Sequence, residues 1–257
     1  MYKRIFYPDN IPATTPEKFG LDYEPVYFYS EDGTRLNGWF IPAATVASQK
    51  EAKGTVIHMH NYAGNISSNW HFAGWLPDNG YNVFAFDYRG FGKSMGTAEP
   101  KGVLEDAVAA ITYLRSRTDI DTNKIFIFGQ GLGGSLSIAA AVINPQGVRA
   151  VAAESSFYSY SSVVDDRRPG EGYGYEKDDI YSAGPHVSKL SIPLLLIHGD
   201  RDDITYCSHS ERLHAEAKGP KELVLIKHGR HLAAMTEHYG DWYQKRILEL
   251  FENALKM

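Results

Sequence analysis

The chain is poor in cysteine, in clustered basic charge and in long apolar runs, and each shortage removes a class of protein. Cys207 is the single cysteine among 257 residues, so no internal disulfide can form. The formal net charge is -5 and no five-residue run is basic. Nucleic acid and anionic membrane surfaces both demand clustered Lys and Arg, so neither is an expected partner. No stretch approaches a membrane span, and the opening MYKRIFYPDN has no apolar core of the signal-peptide kind. A cytoplasmic setting is therefore expected. Metal-ligand spacing is also absent. His58 and His60 alternate on one expected strand and face opposite sides, while His228 and His231 have no carboxylate at a metal-site spacing between them. Neither metal nor cofactor is expected, and there is no repeat or low-complexity tract.

What is present suits one α/β domain spanning 1–257. Hydrophobic residues make up 43% and charged residues 22% of the chain, ordinary values for a soluble globular protein. Short apolar runs alternate with amphipathic stretches, which predicts a mostly parallel, eight-stranded type of sheet wrapped by helices. A hairpin is expected from 26–30 and 37–41 around the turn Asp32-Gly33. Further strands are expected at 55–60, 82–88, 124–129, 148–154, 193–199 and 223–227. Helices are expected near 66–77, 102–117, 132–143, 206–217 and 236–255. The composition shifts over 155–190, where Ser, Tyr, Gly, Asp and Arg crowd together. A connection of that length predicts a small lid inserted after a strand.

The strand KIFIF runs into Gly129-Gln130-Gly131-Leu132-Gly133-Gly134 and then an Ala-rich helix. Two readings compete there. Gly129, Gly131 and Gly134 spell G-x-G-x-x-G between a strand and a helix, and Glu154 ends the next strand where a ribose-binding acid would stand. The same segment resembles the nucleophile elbow of α/β-hydrolases, G-x-S-x-G, with Gly131 where that family carries serine. Four other segments choose between the two.

PLLLIHGDRDDIT (193–205) resembles the family's strand and HGxxD turn, which implies Asp202 as the catalytic acid, with Asp200 and Asp203 as near alternatives in register. LVLIKHGRHL (223–232) resembles the strand and loop that deliver the catalytic histidine, here His231. TVIHMHNYAGN (55–65) resembles the loop that donates an oxyanion-hole amide. It implies the N–H of Tyr62, with that of Leu132 as second donor, although Asn61 replaces the usual glycine. FDYRGFGKSMG (86–96) resembles the DxRGxGxS turn of the same family. Five motifs in family order identify a member of the carboxylesterase, lipase and serine aminopeptidase-like branch of the α/β-hydrolases, and the dinucleotide reading explains only one of them.

The resemblance implies an ester, thioester or amide of a small molecule as substrate. The lid tyrosines Tyr158, Tyr160, Tyr173, Tyr175 and Tyr181 either line an acyl or aryl pocket or cover an apolar strand end. Glycine offers no nucleophilic oxygen, so three functions stay open for this chain. It is a hydrolase impaired by loss of its serine, a non-catalytic ligand-binding relative, or a slow hydrolase in which His231 activates water. The oligomeric state is not legible.

Overall fold

The computed structural model describes Tyr2, residues 5–239 and residues 241–257. Among the described residues ten strands are formed: β1 (Tyr7–Pro8), β2 (Glu24–Tyr29), β3 (Arg35–Ile41), β4 (Gly54–Met59), β5 (Ala63–Gly64), β6 (Tyr81–Asp87), β7 (Ile125–Gln130), β8 (Val148–Glu154), β9 (Leu194–Gly199) and β10 (Lys221–Ile226). Helices are α1 (Ile66–Asn69), α2 (Pro100–Ser116), α3 (Leu132–Ile143), α4 (Tyr160–Arg167), α5 (Gly184–Val187), α6 (Ser208–Glu216) and α7 (Trp242–Ala254).

Eight strands form one sheet in the order β10-β9-β8-β7-β4-β6-β3-β2. The six strands from β10 to β6 are parallel, and the hairpin β2–β3 closes the other edge antiparallel. The central strands read as unbroken apolar runs because both faces are covered. On one side α2 and α3 pack over Ile57, Phe84, Phe86 and Ile127. On the other, α7 and the segment around Trp70 cover Val56, Val83, Phe126 and Phe128. Phe251 of α7 lies against Phe126 with ring centroids 4.5 Å apart, so the last helix is held by aromatic packing. The turn after β6 is tied down by a buried ion pair, Arg89 to Asp106 at 2.8 Å, and by Asp87 accepting from the N–H of Ile66 at 2.8 Å. Both residues act as turn fixers.

Two expected helices are shorter than their patterns. The stretch 66–77 gives only the four residues of α1 and two 3-10 turns. Asn65 caps its start, and Asn69 turns its side chain back onto the carbonyls of Ala63 and Asn65, which competes with helix continuation. The stretch 236–255 gives a 3-10 turn, Glu237–Tyr239, and then α7 from Trp242. The short parallel pair β1–β5, too brief for a periodicity, was not expected.

Strand order sets where chemistry can happen. From β4 the chain passes to β6 on one side, and β7 returns on the other, so the connections after β4 and β7 diverge. A crevice opens beyond the carboxyl ends of these strands, the usual place for ligands in an open α/β sheet. Asn61, Tyr62 and Gly131 stand at that crevice.

Candidate active site

The four elbow glycines are not equivalent. A Cβ at Gly129 would lie 2.2 Å from the carbonyl oxygen of Gly133, one at Gly133 would lie 1.8 Å from that of Met59, and one at Gly134 would lie 2.1 Å from Ser156 Oγ. Close approach of the backbone excludes any side chain at Gly129 and Gly133, and one at Gly134 would require Ser156 to turn away. Gly131 differs: a Cβ there meets nothing nearer than Asn61 Cβ at 3.3 Å and His231 Nε2 at 3.8 Å. Its backbone stands at φ 54°, ψ -112°, which side-chain-bearing residues adopt only under strain. Gly131 N–H donates to the carbonyl of Glu154 at 2.8 Å and its own carbonyl accepts from Ser135 at 3.2 Å, fixing the turn between β7 and α3.

His231 comes from the loop after β10. Its Nδ1–H donates to Asp202 Oδ2 at 2.8 Å. The opposite nitrogen, Nε2, is buried, has no hydrogen-bond partner and is the atom that faces the Cβ direction of Gly131. Of the three aspartates in the turn after β9, Asp202 alone reaches this ring. Asp200 accepts from the N–H of His228, and Asp203 is exposed. Asp202 is buried, and its Oδ1 accepts from the N–H groups of Ile204 and Thr205 at 3.0 and 2.9 Å. A second imidazole was not foreseen: His198 Nε2 lies 3.2 Å from Asp202 Oδ2 and donates to the carbonyl of Thr205 at 2.8 Å. Burial pushes the Asp202 carboxyl up, but hydrogen bonds from His198 and His231 and the backbone of Thr205 outweigh it and hold the group far below the usual carboxylate range. It stays ionised wherever the fold survives.

Backbone strain gathers around the same loop. Ser155, His228 and Leu232 are the non-glycine residues with positive φ among those described, at 49°, 61° and 54°. Ser155 Oγ accepts from the N–H of Leu232 at 3.2 Å, which ties the strained end of β8 to the residue after His231. Such strain persists only where surroundings over-determine it, as at sites that must hold one geometry.

The two amides implied for an oxyanion lie on either side of Gly131. Leu132 opens α3, so its N–H is among those a helix leaves without an internal acceptor. Tyr62 lies across the cleft, in a loop pinned by Asn61, whose side chain donates to Asn69 Oδ1 at 2.7 Å and accepts from the N–H of Ala63 at 2.7 Å. Tyr62, Gly131 and Leu132 border one cavity of about 10 Å³, room for roughly a single water.

The tyrosines of 155–190 named from the sequence do not border that cavity. Tyr158 packs under Arg212 and donates to Glu216 at 2.9 Å. Tyr160 is fully buried beside Phe157, Tyr175 is buried against Tyr2, and Tyr173 is exposed on the far surface. The cleft is walled instead by Phe157, Val163, Val164 and Arg167. Tyr160, Val163, Val164 and Arg167 share one face of α4 at the i, i+3, i+4, i+7 spacing. Tyr160, at the buried start of the helix, is absorbed by the core. That spacing was visible in the sequence and would have pointed to the later three.

The rival dinucleotide reading is not served by this geometry. Glu154 is buried beneath the elbow, where its carboxylate accepts from Gln130 Nε2 at 2.6 Å and the N–H of Ala234 at 2.7 Å. It braces the turn and does not face an incoming ribose. Among the described residues no group of three or more His, Cys, Asp or Glu is placed to hold a metal, and no helix is long and apolar enough to cross a membrane.

An acid–histidine pair aimed at a strained elbow on a sheet of this order defines a class, and the chain belongs to it: the α/β-hydrolase superfamily. Residues 50–168 match the family model for serine aminopeptidase, S33. Within the superfamily it stands on the carboxylesterase, lipase and serine aminopeptidase-like branch. The chain is 41% identical over 253 residues to the uncharacterized protein YfhR of Escherichia coli O157:H7, covering 98% of this chain and 87% of that one. It is 29% identical to the alpha/beta hydrolase domain-containing protein WAV2 of Arabidopsis thaliana, covering 93% and 81%. Among solved structures, an esterase of Pyrococcus furiosus superposes with a TM-score of 0.79 at 20% identity, covering 96% and 98%. Acetyl xylan esterase 1 of a Thermoanaerobacterium species superposes with 0.73 at 19%, covering 90% and 84%. These two share the fold.

Proposed function

We propose that the site is a serine-hydrolase site for an ester, thioester or amide, with Asp202 and His231 as acid and base, and that Gly131 in the nucleophile position leaves this chain inactive or strongly impaired. One observation carries the reading. His231 Nε2 is buried, unpaired and 3.8 Å from where a Cβ at position 131 would stand. A hydroxyl on that Cβ would reach hydrogen-bond distance of a nitrogen that now has no partner.

With an oxygen there, each group has a role. Asp202 fixes the tautomer in which Nδ1 carries the proton, so the Nε2 lone pair takes the hydroxyl proton as oxygen attacks the carbonyl carbon. The N–H groups of Tyr62 and Leu132 receive the negative charge that develops on the carbonyl oxygen. His231 then returns its proton to the leaving group. Without the hydroxyl no acyl-enzyme forms, and loss of the serine from subtilisin lowers turnover about a million-fold. A slower second route has a water activated directly by His231 Nε2, which is buried and without a partner among the described residues. A pocket kept for binding alone is the remaining alternative.

Gly131→Ser tests the reading. The variant should hydrolyse short-chain 4-nitrophenyl esters and be labelled by a serine-directed phosphonate, while the chain with Gly131 is not labelled. A folded variant that stays inert sinks the proposal. Turnover by the chain with Gly131 that disappears in His231→Ala establishes the water route.

A further inference from the structure

Among the described residues Arg167 is the one cation that walls the cavity at Gly131, and its described surroundings hold no ion pair to balance its charge. It ends α4, its Nε donates to the carbonyl of Ile204 at 3.0 Å, and its guanidinium carbon sits 4.8 Å from the centroid of the Tyr62 ring. No ion pair to it is formed among the described residues, whereas Arg89 and Arg117 each hold two or more carboxylates. The nearby acids are otherwise engaged or turned outward: Asp165 accepts from Gly170, Asp166 accepts from His209, and Asp203 is exposed. A half-buried guanidinium with one carbonyl and one ring for company is an incompletely satisfied fork of donors.

Its position couples two spaces. Arg167 and Tyr62 border both the 10 Å³ cavity at Gly131 and an open cavity of about 490 Å³ that continues past Tyr7, Ala63 and Ile204. Their stack is thus a partition between the elbow and the outside. A substrate passing from the outer cavity to Gly131 meets this stack. Tyr62 also carries one proposed oxyanion amide, so whatever engages Arg167 does so beside the reacting carbonyl.

We infer that Arg167 is a specificity-determining residue for a substrate whose acyl or alcohol part bears a carboxylate, which draws the guanidinium off Tyr62 and opens the partition as it binds. The inference deepens the hydrolase reading and rests on it for the word substrate, but the preference for an anion stands on Arg167 itself. A planar carboxylate matches the guanidinium fork with two parallel hydrogen bonds, and the apolar wall of Phe157, Val163 and Val164 takes the aliphatic portion. Asp203 on the rim of the outer cavity disfavours a second negative charge there, which argues for a monoanion.

Binding to the chain with Gly131, measured by NMR titration with monomethyl glutarate and with neutral dimethyl glutarate, reads this without turnover. The monoanion should bind about ten-fold tighter or more, the size of a charge-assisted hydrogen-bonded pair. Arg167→Met should cut that ratio by a similar factor, and Arg167→Lys should keep part of it. In the Gly131→Ser background the preference should appear as a lower KM for mono-4-nitrophenyl glutarate than for 4-nitrophenyl butyrate. Equal binding of the two glutarates by the unsubstituted chain overturns the inference whatever the variants do. So does a ratio that survives Arg167→Met in protein with a native circular dichroism spectrum. An inert Gly131→Ser beside an intact, Arg167-dependent preference overturns the hydrolase reading and leaves the anion site standing.

Discussion

At position 131 two departures from the family pattern meet. Asn61 stands where that loop usually has glycine, and its Cβ is the atom that a Cβ at 131 would approach most closely, at 3.3 Å. A contact that short is tighter than ordinary packing, so Gly131→Ser meets steric pressure in addition to its positive φ. Its thermal stability should fall by about 1–3 kcal/mol. Because the pressure comes from one neighbouring carbon, Asn61→Gly should raise esterase activity in the Gly131→Ser background, whereas Asn61→Ala, which keeps the Cβ, should not. Asn61→Gly alone should destabilise the fold, since the Asn69 and Ala63 hydrogen bonds are lost. Purely additive effects in the double variant would show that the two positions are independent. Asp202 carries the second residue-scale expectation. Its folded pKa lies below the ~3.9 of an unfolded aspartate, so the unfolded chain takes up the proton first as pH falls. The stabilisation is fully present above about pH 4 and drains away below it. Asp202→Asn should lower stability at neutral pH by about 1–3 kcal/mol and flatten the loss between pH 5 and 2. Melting curves across that range, parallel to those of the parent, would show that Asp202 contributes no such linkage.

Among the elements, the segment 155–190 decides how the cleft is covered. Its ends are fastened: the N–H of Ala183 donates to Ser135 Oγ at 2.9 Å and that of Gly184 to the carbonyl of Tyr158 at 2.9 Å. Tyr160 and Tyr175 are sunk into the core, so the segment is packed at both sides of an exposed middle. Arg168, Pro169 and Gly170 are exposed, and nothing lies within 4 Å of where a Gly170 side chain would start. We propose that this middle, directly after Arg167, is where the cap gives way to admit substrate. Limited digestion with a protease of broad specificity such as proteinase K should cut within 168–174 before it cuts anywhere else in the chain. First cleavage at the exposed Lys18 or Lys50 would locate the weakest point elsewhere. The shortened α1 teaches a related lesson at this scale. Asn65, Ser68 and Asn69 satisfy one another and the adjoining backbone, and the resulting tight loop carries Tyr62 to the cleft.

For the whole molecule, the sheet order leaves one crevice at the carboxyl ends of β4 and β7, and both rival readings of the elbow would use it. Gly129 and Gly133 are crowded by the protein's own backbone and Gly134 by Ser156, so they do not mark an approach route for a pyrophosphate. With Glu154 buried beneath the turn, NAD, NADP and FAD should produce no thermal shift. A ligand present at a hundred times its Kd would add about 2.7 kcal/mol, readily seen as a raised Tm. A clear shift with any of the three would return the dinucleotide reading to contention. A separate groove of about 530 Å³ between α2 and the 3-10 stretch Gly172–Tyr181 touches neither Gly131, Asp202 nor His231, so cavity size alone would misplace the chemistry.

Strand and helix periodicity, the elbow glycines and the order of the motifs along the chain were legible in the linear sequence, because each is local or depends only on order. The eight strands of the sheet, α3 over 132–143 and the α/β-hydrolase class followed from them. The partner of His231 was legible only to within three aspartates. Its choice fell to the tertiary structure, since which carboxylate turns inward depends on how the loops after β9 and β10 meet. The same holds for His198 beside Asp202, for the contact of Asn61 with the space at Gly131, and for Arg167 stacked on Tyr62. Asn61 and Gly131, like Arg167 and Tyr62, are tens of positions apart, and His198 and Asp202, only four apart, meet because of how the turn after β9 folds; no periodicity encodes such contacts of a few ångströms. The tyrosines mark the boundary most plainly. Their number in 155–190 was visible, but whether a ring lines a cleft or fills a core is decided by what packs against it, and for Tyr160 that is Phe6 and Phe157.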